Sequence, residues 1–180
     1  MARTVDLRRH TDAEGDVLTE GGIRAAVAIG GRIDAAYDVL ISSGAQRATQ
    51  TLACFLAGMD KRVPGGVTVD PRFRSSVETR WYAAARRADG KDLEAFRRVD
   101  SDLVEKEAAL LGGVLRSVLE GLSDGGQALV VGHSPTTEAA VLGLTGQVIA
   151  PLSKGAGVRV VAESGGRYRV EPLEGQDQAS

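Results

Sequence analysis

Short apolar runs alternate with longer stretches of helical periodicity along this chain, and that alternation restricts its fold more than any other feature. Residues 4–8 read as a strand, followed by a polar, Gly-containing loop over 10–18. Thr19 can cap a helix running to about Ala36, with Ile23, Ala26, Val27 and Ile33 as its apolar stripe. Residues 38–42 form a second, buried strand. Ser43-Gly44 then opens a helix with Ala48, Leu52, Phe55 and Leu56 on one face, and a Gly/Pro-rich loop begins at Gly58. A third strand falls at 67–69, and the Arg- and Ala-rich stretch 73–98 predicts a helix with a break at Asp89-Gly90. From Asp100 to Leu122, Leu103, Leu110, Leu111, Val114, Val118 and Leu122 recur at helical spacing behind a cap at Asp100, Ser101 or Asp102. Residues 127–131 are a strongly buried strand. Ser134-Pro135 starts the next helix, with serine as the cap and proline in the first turn. Residues 158–162 and 167–170 flank Ser-Gly-Gly as a terminal hairpin, with a frayed tail after Leu173. Strands alternating with helices in this way predict a three-layer α/β/α sandwich, with helices on both faces of a mainly parallel sheet.

At 180 residues the chain fits a single domain spanning 1–180. Charged residues at 26% and hydrophobic ones at 43% are globular proportions. A net charge of −2 offers no general attraction to nucleic acid or to an anionic membrane, so any anion site is local. The lone Cys54 excludes an internal disulfide and a cysteine-based zinc cluster, and its apolar helical neighbours make it a core residue. The first residues lack the apolar core of a signal peptide, and no run of about 18 apolar residues occurs, so a cytoplasmic protein is expected.

The chain has only two histidines, His10 and His133, and each follows directly on a predicted strand. Histidine can attack, accept a proton or carry charge near neutral pH. Ligand sites of open α/β sheets lie outside the carboxyl ends of strands. Arg9 leaves the first strand beside His10, and Arg47 lies one turn inside the helix after the second. Arginine's planar fork suits phosphate oxygens, and a helix start adds free N–H groups. The set describes a phosphate pocket with imidazole inside it. Strand alternation puts Arg8 on the face opposite Arg9.

These residues resemble the histidine phosphatase superfamily, also called phosphoglycerate mutase-like. Leu7-Arg-Arg-His10 resembles its Leu-x-Arg-His signature, Leu18-Thr-Glu-Gly-Gly22 its first helix start, and Val130-Val-Gly-His133 its second histidine motif. The stretch 41–51, Ile-Ser-Ser-Gly-Ala-Gln-Arg-Ala-Thr-Gln-Thr, resembles its Ser-Ser-x-x-x-Arg-Ala-x-Gln-Thr pattern. The order and spacing agree over residues 5–145. The compact size and the end soon after the second histidine look most like the small SixA-like phosphohistidine phosphatase branch. The resemblance implies that His10 attacks phosphorus and becomes a phosphohistidine. It implies that Arg9, Arg47 and His133 hold the equatorial oxygens, and that no metal or other cofactor is needed. The partner would be a phosphorylated small molecule or a phosphohistidine protein.

Two positions depart from the family pattern. Thr11 stands where glycine usually follows the histidine, and is read as a further phosphate donor or a shaper of the loop. Ser75 stands where the family's acid glutamate is expected. The general acid then falls to Glu78, three residues on, or to Asp12 in the loop after His10, with Glu138 third. Arg72, Arg74, Arg80, Arg86 and Arg87 read as a solvated face or a rim that selects anions. Two further readings stay within phosphate chemistry: a mutase returning the phosphoryl group to a second hydroxyl, and a non-catalytic phosphate-binding module. A serine hydrolase centred on Ser134 fits poorly, because Thr136 replaces the last glycine of the nucleophile elbow and both histidines precede the serine.

Overall fold

The computed structural model describes residues 1–176. Its elements are β1 (Arg3–Arg9), β2 (Ala13–Glu14), β3 (Val17–Leu18), α1 (Glu20–Gly31), β4 (Val39–Ser42), α2 (Gln46–Met59) and β5 (Val67–Val69), then α3 (Glu78–Arg87), α4 (Leu93–Val99), α5 (Ser101–Gly121), β6 (Gln127–Gly132), α6 (Thr136–Thr145), β7 (Gly157–Ala162) and β8 (Tyr168–Leu173). The central sheet has the order β5-β4-β6-β1-β7-β8. The first four strands in that order pair in parallel, β7 pairs antiparallel with β1, and β8 pairs antiparallel with β7.

Period-two alternation along the strands divides the core into two layers. Val5, Leu7, Ile41, Ala128 and Val130 face the layer built with α3 to α6. Leu40, Leu129 and Val131 face the layer built with α1 and α2. The three-layer sandwich is therefore the observed architecture.

Several local expectations change. The loop over 10–18 contains the small hairpin β2–β3. Helix α1 stops at Gly31, well short of Ala36, and its buried face is Gly22, Ala26, Ile29 and Gly30. Ile23 and Val27 are exposed, because glycines rather than larger side chains meet the neighbouring backbone. Leu110 is likewise exposed, while Glu107 is buried on α5. Asp100 is the cap of that helix, accepting from the Leu103 N–H at 3.1 Å. On α6 the cap position belongs to Pro135, and Ser134 instead donates its hydroxyl to Glu138. The start of the tail is pinned: Gln176 N–H donates to the Lys154 carbonyl at 2.9 Å. The remainder of the tail expected to fray lies outside the described residues. No described helix is long and apolar enough to cross a membrane.

Candidate active site

The carboxyl ends of β1, β4 and β6 are adjacent, and they bring His10, Ser43 and His133 together with Arg47 from the first turn of α2. The two imidazole rings are 5.4 Å apart, centre to centre. Arg47 joins them: its Nε–H reaches Nε2 of His10 at 3.2 Å and its Nη2 reaches Nδ1 of His133 at 3.2 Å. A guanidinium only donates, so both of those ring nitrogens present lone pairs. The other nitrogens then carry the protons. Nδ1 of His10 donates to the Thr11 carbonyl at 2.7 Å, and Nε2 of His133 donates to the Ser43 hydroxyl at 2.8 Å. This tautomer assignment follows from the partners. Burial pushes the His10 imidazole down to about 3, with the charges of Lys154, His133 and Arg47 adding to it. Burial and then Arg47 lower His133 to about 4. Both rings are neutral at working pH in the free protein.

Arg9 projects to the α3–α6 side of the sheet, as the alternation required. Its Nη1 donates to the Leu152 carbonyl at 2.7 Å, and it lines a cavity of about 560 Å³ together with Arg47, His133 and Glu78. Arg8 turns to the other face, over the Phe55 ring, and donates to the carbonyls of Gly155 and Glu174. Leu152 is gripped from both sides, since its N–H donates to Oε1 of Glu138 at 2.9 Å. Glu138 is 2% exposed, and burial raises its carboxyl while the Ser134 hydroxyl, the Leu152 N–H and Arg9 favour its charge. It ties the turn after His133 to the loop that holds Arg9, and it does not line the cavity.

Thr11 requires a correction. It is fully buried, and its hydroxyl lies 3.3 Å from that of Thr51 on α2. Its N–H also donates to the Thr51 hydroxyl, at 3.2 Å, so its polar groups hold the loop against α2. Asp12 accepts the Thr19 hydroxyl at 3.1 Å and lies outside the cavity wall, whereas Glu78 is on that wall and accepts from Arg74 at 2.7 Å. Ser75 also lines the cavity and caps the Val77 N–H. Arg72, Arg74 and Arg80 are taken up in ion pairs with Asp70, Glu78, and Asp100 and Asp102.

Three contributors had no signal in the sequence. Asp16 accepts from Nη1 of Arg47 at 2.9 Å and from the backbone N–H groups of Gln46 and Arg47, which fixes the start of α2. Lys154 brings positive charge near His10, Arg9 and Asp12. Trp81, Tyr82 and Phe96 form an aromatic cavity wall. Only the Ser43 contact had a hint, in the Ser-Ser pair of its motif. Among the described residues no three His, Cys, Asp or Glu side chains are grouped as a metal site.

No family model matches the sequence, and no curated protein matches it. Solved structures do match. A phosphoglycerate mutase from Bacillus anthracis aligns over 98% of this chain and 94% of its own, with a TM-score of 0.70 and 18% identity. A phosphoserine phosphatase from Entamoeba histolytica, solved with 3-phosphoglyceric acid, aligns over 97% of this chain and 98% of its own, with a TM-score of 0.76 and 15% identity. The protein histidine phosphatase SixA, solved with tungstate, aligns over 98% and 99%, with a TM-score of 0.60 and 19% identity. The chain has the phosphoglycerate mutase-like fold.

Proposed function

We propose that this chain is a metal-independent histidine phosphatase that hydrolyses a phosphomonoester through a phosphohistidine on His10. One observation carries the reading. Two neutral imidazoles and two guanidiniums converge where three parallel strands end, and Nε2 of His10 keeps its lone pair. In the free protein that lone pair accepts from Arg47. Phosphoryl oxygens are stronger acceptors than a neutral ring, so a bound phosphate draws the Arg47 donors to itself and frees Nε2 to attack. The Nε2–P bond forms as the P–O bond to the leaving group breaks. Arg9, Arg47 and His133 hold the equatorial oxygens, supplying the positive charge the transition state needs. The incoming anion favours the imidazolium of His133. Glu78, an ion-paired carboxylate in the free protein, takes up the proton that a monoanionic phosphomonoester brings and passes it to the departing oxygen. It then takes a proton from the water that attacks phosphorus, and the P–N bond breaks to return His10.

Hydrolysis fits better than mutase chemistry. A mutase holds its intermediate away from water until the phosphoryl group returns. Here Tyr82, on the cavity wall, is 60% exposed, and Lys91, which also lines the cavity, is exposed as well. A labelled substrate, quenched during turnover in the presence of EDTA, should leave label on the protein that is labile to acid and stable to alkali. Label surviving in His10→Ala would refute the assignment.

A further inference from the structure

The cavity is far larger than a phosphoryl group, and its volume is in the range that encloses a whole small molecule. Arg9 and Arg47 line it together with side chains of different chemistry. The chain has one Trp, three Tyr and three Phe, and one of each lines this cavity as Trp81, Tyr82 and Phe96. Trp81 and Phe96 are core residues, each only 5% exposed, so Tyr82 at 60% carries most of the ring surface open to the cavity. Ala85, Pro135 and Leu152 complete the apolar surround.

The wall is preorganised. The Trp81 and Phe96 rings meet edge to face with centroids 5.8 Å apart, an arrangement that aromatic pairs favour. Trp81 is anchored from behind by its indole N–H to buried Glu107, at 3.2 Å. Tyr82, one residue on, is largely exposed and free to lie over a bound ring. A small polar leaving group would leave the Tyr82 ring exposed to water.

We infer that the substrate is a small-molecule phosphomonoester whose leaving group carries an aromatic ring, packed on Tyr82 beside the fixed Trp81–Phe96 pair while the phosphate meets Arg9, Arg47 and the histidines. This rests on the phosphatase reading above.

The test compares 3-phenylpropyl phosphate with propyl phosphate. Both release a primary alcohol of similar basicity, so the bond-breaking step is matched and only the ring differs. The wild-type protein should favour the phenyl ester in kcat/KM by roughly tenfold or more, the effect of withdrawing a ring from water. Tyr82→Ala and Ala85→Glu, both at exposed positions, should each lower that ratio by at least about threefold, in keeping with a partial loss of the same burial. Equal kcat/KM for the two esters, or a ratio unmoved in both variants, would overturn the inference and leave the phosphatase reading intact. Faster turnover of a phosphohistidine protein than of the phenyl ester would overturn it too. No turnover of either ester, with no phosphoenzyme formed, would remove the phosphatase reading and this inference together.

Discussion

Arg47 donates to His10, to His133 and to Asp16, so one guanidinium sets the lone pairs of both imidazoles and is itself aimed by a carboxylate. Its neighbours divide into groups that face the cavity and groups that hold others in place. Glu78 and Asp12 fall on opposite sides of that division. A leaving alkoxide is strongly basic and needs a proton as the P–O bond breaks, and a positioned acid supplies about 10²–10⁴ in rate. An aryl phosphate needs far less help. Glu78→Gln should therefore lose much more activity on an alkyl phosphate than on an aryl phosphate. Asp12→Asn weakens the link to Thr19 and should affect both esters alike. The comparison of kcat/KM for the two esters in each variant decides between them, and equal losses in Glu78→Gln would mean that it only positions substrate. The nucleophile candidate, its partner imidazole and the two arginines could be read from the sequence, because rare residue types stood at strand ends in ordered motifs. Asp16 and Lys154 could not. They reach the site by the approach of loops distant in sequence, as when the Gly155 N–H donates to the His10 carbonyl.

Element by element, the strands and the long helix α5 were legible because burial imposes a period on the residues that make them. The buried face of α1 was not. Hydrophobic periodicity assigns the stripe to its largest apolar side chains, but here the contact is made by backbone at the smallest ones. A Cβ at Gly22 would lie 2.0 Å from the Asp12 carbonyl oxygen, so the loop after His10 packs directly on the first turn of α1. The Thr19 hydroxyl accepts from the Gly22 N–H at 3.0 Å and donates to Asp12, which locks that turn to the same loop. Gly143 on α6 is in the same position against α5, its Cβ falling 1.7 Å from the Ala108 carbonyl oxygen. Gly22→Ala must push the loop carrying His10 away from α1, and forced overpacking typically costs about 1–3 kcal/mol. Urea unfolding should show that loss. Activity should fall further than the fraction unfolded explains, because the displaced loop begins at the nucleophile. Full activity in a destabilised variant would show that the loop can shift without moving His10.

At the scale of the whole molecule, the site is a place where folding works against protonation. In the folded chain His10 and His133 stay neutral down to about 3 and about 4. In the unfolded chain each titrates near ~6.5. Below that pH the unfolded state binds protons that the folded state refuses, so stability falls as the pH drops from about 6.5 toward 4. Between pH 7.5 and 5.5 the loss should be about 1.4 kcal/mol for each imidazole. Glu138 acts in the opposite sense, since burial raises its carboxyl and protonation then favours the folded chain. The double variant His10→Gln/His133→Gln separates the two, because it keeps the Glu138 contribution and lacks that of the imidazoles. An anion reverses the penalty. A dianion among Arg9, Arg47 and the two rings favours the imidazolium forms, so it binds more tightly as the pH falls and restores the stability lost. Sulfate is the suitable probe, as it stays doubly charged over this range. Thermal unfolding at pH 7.5 and 5.5 should show the wild-type protein destabilised by acid without sulfate and protected by it at millimolar concentration. The double variant should lack the acid destabilisation, and its protection by sulfate, left to Arg9 and Arg47, should not grow as the pH falls. With only two histidines, ring proton resonances report directly: they should not titrate between pH 8 and 5 in the free protein, and should titrate when sulfate is added. Free imidazoles that titrate near 6.5 would show that the rings are solvated, and would remove the electrostatic basis for a neutral nucleophile at His10.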